Sequence, residues 1–139
     1  MSYEEKGVWT TLFFMAGAYI AYLAIIVPQL LQTPPAHVNY ILPLTFTAIP
    51  SAIIALLVRS ALELFSPSDS SKADARDRDI KRFGEHASRW CVVGGAMLGL
   101  WGAVGHWDYF WIANVIWLGF VLWIVVGSVL MLVAYRRGL

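Results

Sequence analysis

Residues 109–135 read "YFWIANVIWLGFVLWIVVGSVLMLVAY", a stretch without a single Asp, Glu, Lys or Arg. A bilayer's hydrocarbon core, about 30 Å thick, is crossed by roughly 20 helical residues, so this run is long enough to span one. Its apolar residues surround the helix. A buried helix of a soluble bundle would keep charges along a wet face instead. The fold class therefore turns on whether the rest of the chain repeats the pattern.

It does. Gly7–Leu31, Thr33–Val58 and Trp90–Trp107 are equally free of charged residues. Over the whole chain 59% of residues are hydrophobic and 14% charged, against about 25% charged in soluble domains. Four membrane helices are expected, at about 8–28, 40–62, 88–106 and 110–134. The predicted fold is all-α, a single-domain integral membrane four-helix bundle over residues 1–139, with a charged segment at 63–87. A secretory leader is not expected, because Glu4 and Glu5 precede a first apolar run that is too long for one.

The basic residues give an orientation. Lys6, Arg59, Lys72, Arg76, Arg78, Lys81, Arg82, Arg89, Arg136 and Arg137 all fall at one side of the expected spans. The connections "QLLQTPPAHVN" (29–39) and "GHWDYF" (105–110) carry none. The positive-inside rule then places both termini and the charged segment on the cytoplasmic side of the membrane. A cysteine at His37 should react with an impermeant thiol reagent on intact cells, and one at Ser70 should not.

The charged segment includes "SKADARDRDIKRFGEHASRW" (71–90). Residues 63–89 hold six bases and six acids, so no net field is available to attract nucleic acid or anionic lipid. Asp74 with Arg78, Asp77 with Lys81 and Glu85 with Arg89 stand i,i+4 with the acid first, each pair supporting a helix by roughly 0.2–0.5 kcal/mol. "SPSDSS" (66–71) has the composition of a turn and helix entry. A cytoplasmic helix from about Ser71 follows, with an apolar stripe at Ile80, Phe83, Ala87 and Trp90 or Cys91. It either extends the third span or lies on the membrane with a bend at Gly84. Asp74, Arg76, Asp77, Ile80, Arg82 and Glu85 are its candidate partner-binding residues. No glycine-rich turn accompanies them to approach a phosphate.

The run "ADARDRDIKRFGEH", with Asp74, Arg76, Asp77 and Ile80 as its core, resembles a (D/E)-x-R-D-x-x-I motif. That motif precedes the third helix in a family of small bacterial four-helix membrane proteins. "EEKGVW", "FWIAN" and "YRRGL" also look like actinobacterial members of that type. The resemblance implies the four-span fold but carries no established activity. Some similar genes lie beside helix-turn-helix regulators, which implies a membrane partner for a transcription factor.

Within the spans no ionisable residue reaches mid-membrane, where a proton-coupled transporter would need one. Arg59 near the inner end of the second span can snorkel and pair with Glu63. Thr45, Thr47, Ser51, Asn114 and Ser128 are too scattered to line a pore. Cys91, Gly95, Gly99 and Ala103 recur at four-residue steps, and Gly17, Ala21 and Ala24 form a similar face. Such faces let helices approach closely, either within the chain or in a dimer. Pro50 should kink the second span, with Thr47 or Ser51 satisfying the freed backbone.

The outer connections gather Trp101, Trp107, Trp111 and Trp117 with Tyr109 and Phe110, the composition of an interfacial aromatic belt. His37, Tyr40, His106, Asp108 and Asn114 share that side. His37, His106 and Asp108 could bind a metal or a haem edge, but their spacing matches no recognised ligand pattern. No cofactor is expected. His86 lies on the opposite side, Cys91 is the lone cysteine, and no nucleophile elbow occurs. The favoured reading is a non-enzymatic membrane protein acting through contact with itself, a regulator or a larger membrane complex. The alternative is a small transporter or ligand-binding protein with an outer-face site.

Overall fold

The computed structural model describes residues 3–65 and 75–137. Among them the chain is all-helical, with no strand. Helix α1 spans Tyr3–Leu30, α2 Ile41–Phe65, α3 Ala75–Val104 and α4 Tyr109–Arg137, and a 3-10 turn occupies Pro35–His37. Two of the helices are long and apolar enough to cross a membrane: α1 over Glu5–Leu30, with a mean hydropathy of 2.0, and α4, with 2.6. Only 17% of the most apolar window of α1 and 28% of that of α4 is buried. Phe13, Ile20, Phe46, Leu56, Trp101 and Val104 are all well over half exposed. The chain thus turns large apolar side chains outward, the reverse of a soluble bundle.

Helix α4 is the hub. It packs against α3 along its length and against α1, while α2 packs against α1. The α3–α4 seam is built from small residues. A methyl group added at Gly95 would stand 2.7 Å from the Cα of Gly119, so the two backbones touch with no side chain between them. At Gly99 it would meet Ile116 at 2.5 Å, and at Gly84 it would meet Met131 at 2.5 Å. At Gly127 it would lie 2.8 Å from Ser88 Oγ. That hydroxyl is itself satisfied, donating to the Gly84 carbonyl at 2.7 Å.

This seam corrects the expected stripe of the charged helix. α3 runs unbroken through Gly84, and the residues it buries are Ile80, Gly84, Ser88, Gly95, Gly99 and Gly102. Phe83, Ala87 and Trp90 are exposed, Trp90 by 73%. The buried positions follow mixed steps of three and four, as a 3.6-residue period requires. For the same reason the small face leaves the strict four-residue register at its end: Gly102 is buried and Ala103 exposed.

The halves of the molecule meet in a core of Tyr22, Ile26, Val38 and Phe110, with Tyr19, Leu30, Tyr40, Leu44 and Trp117 packed around it. Fully buried Tyr22 donates its hydroxyl to Asn114 Oδ1 at 2.6 Å. Asn114 Nδ2 in turn donates to the Phe110 carbonyl at 2.8 Å. α2 continues as helix through Pro50. Thr47 donates to the carbonyl of Pro43 and Ser51 to that of Ala48. Neither reaches the Phe46 carbonyl, the i−4 acceptor that Pro50 leaves free.

Candidate functional site

Two places on the molecule combine exposure with chemistry, one at each end of the α3–α4 hairpin. At the N-terminal end of α3 the helix carries Asp77, Arg78, Asp79, Lys81, Arg82, Glu85, His86 and Arg89. Asp77 and Lys81, like Glu85 and Arg89, stand one turn apart, and among the described residues neither couple closes an ion pair. Exposed pairs of this kind contribute little.

Of the sequence candidates here, Asp74 lies outside the described residues, and of Arg76 only its backbone position in α3 is described. The Arg59 and Glu63 side chains, the expected snorkelling pair, also lie outside the described part. Ile80 is only 3% exposed, packed into the chain itself. It is therefore not part of the exposed surface of α3. Phe83, Ala87 and Trp90, spaced i, i+4, i+7, form an exposed face beside Arg82, Glu85, His86 and Arg89. The pattern was visible in the sequence. What hid its outward direction was the competing row of glycines, which pack closer than large side chains.

The other end is the turn between α3 and α4. Trp107 N–H donates to the Gly102 carbonyl at 2.9 Å and His106 N–H to that of Ala103 at 3.3 Å, the paired bonds of a Schellman helix end. His106 takes the left-handed position, with φ 56°. The Trp107 ring covers Gly102 and Gly105, where a methyl group would meet it at 2.8 and 3.3 Å. Asp108 immediately precedes α4, its carbonyl accepting from Trp111 N–H at 2.9 Å. An acidic residue is favourable at the positive end of a helix dipole.

His106, Trp107, Asp108 and Trp111 line one open depression. His37, exposed in the 3-10 turn, is not part of its lining. Among the described residues no three His, Cys, Asp or Glu side chains gather where a metal could sit. Tyr40 and Asn114 belong to the core instead: Tyr40 meets Phe110 edge-on at 5.4 Å, and Asn114 holds Tyr22. Gly95 and Gly99 face α4, whereas Gly17 and Ala21 are exposed on α1, with open space where a Gly17 side chain would begin. Cys91 is half-buried with a free thiol.

Comparison with protein families, curated proteins and solved structures finds no match. The molecule is defined by its class alone: an all-helical chain in which two helices are long and apolar enough to cross a membrane.

Proposed function

We propose that the chain is a four-span protein of a bacterial cytoplasmic membrane, both termini and the charged segment inside, that acts without catalysis by binding another protein through the N-terminal part of α3. The apolar exterior and the one-sided distribution of the ten basic residues support the spans and their orientation. By length, α3 and α4 have 30 and 29 residues, or about 45 Å each at 1.5 Å per residue. That exceeds a hydrocarbon core of about 30 Å. The charged third of α3 therefore projects as a stalk braced by the end of α4.

The observation that carries the partner reading is Phe83, 51% exposed on this charged stalk. A large apolar side chain among Lys81, Arg82, Glu85 and His86 gains nothing from water and suits a protein surface. A photo-crosslinking residue at Phe83 in the full chain, expressed in its host, should capture a discrete protein. Arg82→Glu combined with Phe83→Ala should lower co-purification of that protein at least fivefold while membrane insertion is unchanged. An unaffected complex would remove the docking face from this segment. A captured second copy of the chain would make the contact self-association, and a cytoplasmic protein would fit a membrane-anchored regulator.

A further inference from the structure

We infer that the depression at the α3–α4 turn is a binding site for an organic ammonium cation of the alkylammonium or quaternary class. The inference is independent of the partner reading, since the two surfaces lie at opposite ends of the hairpin. The depression is lined by His106, Trp107, Asp108 and Trp111. Trp107 is seated on Gly102 and Gly105 and remains 49% exposed, so glycines replace the side chains that would otherwise hold its indole away from the turn. Trp111 is 44% exposed and stands in the first turn of α4.

Charge selects the ligand. Asp108 is the only Asp, Glu, Lys or Arg from Trp90 to Tyr135. Among the described residues nothing donates to its carboxylate or pairs with it. The negative end of the α3 dipole points into the same turn and offsets the positive end of α4 beside Asp108. An anion is thus disfavoured. A hard metal ion needs more oxygen or nitrogen ligands than Asp108 and His106 supply. An organic ammonium fits better, because it gains attraction from indole faces and needs a single counter-charge.

Such a cation can be free in solution or the headgroup of an ethanolamine or choline lipid, and the test separates these sources. Tetramethylammonium binding to the full chain in non-ionic detergent is measured by ligand-observed NMR at constant ionic strength, with sodium as the balancing cation. Saturable binding is expected, weakened at least tenfold by Asp108→Asn and at least fivefold by Trp111→Leu. Signals that do not saturate, or that are equal in wild type and in both variants, overturn the site. Helix content checked by circular dichroism identifies a variant that fails to fold, and the remaining variant with the sodium control then decides. In vesicles of phosphatidylglycerol alone the binding should persist. If added phosphatidylethanolamine raises the half-saturating concentration, the headgroup shares the site, and if it does not, the site serves a free cation.

Discussion

Gly94 and Gly95 are neighbours in sequence with opposite surroundings, and the pair measures what the seam requires. A methyl group at Gly94 meets nothing within 4 Å, while one at Gly95 meets the Gly119 backbone at 2.7 Å. Backbone cannot yield as a flexible side chain can. Gly95→Ala should therefore destabilise the protein by about 1–3 kcal/mol, the range for overpacking. Gly94→Ala should be neutral or stabilising by up to about 1 kcal/mol through helix propensity. Thermal unfolding in detergent, followed by circular dichroism, compares the two. His106 offers a residue-scale gain: its left-handed backbone costs about 1–2 kcal/mol. His106→Gly should recover about 0.5–1 kcal/mol of that, the rest being lost to glycine's freedom in the unfolded chain. His106→Ala should recover none.

At the scale of the element, α3 does two jobs on two faces. Its small face carries no bulk and binds α4, while its large apolar residues point away. The sequence displays both sets: Ile80, Phe83, Ala87 and Trp90 as one series, and Gly84, Ser88, Cys91, Gly95 and Gly99 as another. Hydrophobic periodicity selects the first, because in water the larger side chains belong inside. Small residues let α4 approach so closely that no large side chain fits between the backbones, so the structure buries Gly84, Ser88, Gly95 and Gly99 of the second series and half-buries Cys91. Ile80 is the exception that belongs to both. Ile80→Asp should loosen the stalk from α4 and expose both helices there to protease, an effect readable by limited proteolysis in inside-out vesicles. Phe83→Asp, on the outward face, should leave the cleavage pattern unchanged.

For the molecule as a whole, the helices and their approximate limits were legible because charge-free runs are long and charges fall between them. The expected spans at 8–28 and 40–62 became helices at Tyr3–Leu30 and Ile41–Phe65, longer because a helix does not stop where its apolar part ends. How the helices pack was less legible: nothing about Tyr22 among six tyrosines announces that it alone crosses to Asn114. The outer candidates divided for a similar reason. His106 and Asp108 are fixed together by one turn, whereas His37 belongs to another connection, and no spacing rule links the two. The proposed orientation has its own check once Cys91 is replaced by Ala. A cysteine at His37 should be labelled by an impermeant reagent on intact cells and one at Glu85 only after lysis.

The Tyr22–Asn114 bond spans 92 residues of chain, and that separation also sets a delay. A ribosome adding about 5–20 residues per second needs roughly 5–20 s to make the acceptor after it has made the donor. For that interval α1 carries a hydroxyl destined for burial and has no Asn114 to receive it. Whatever escorts the nascent helix must shelter a polar group as well as grease. Tyr22→Phe should then act in opposite directions at the two stages. It should raise the yield of inserted chains while lowering the stability of the finished bundle by about 0.6–1.7 kcal/mol, measurable by comparing pulse-labelled insertion with unfolding of the purified protein.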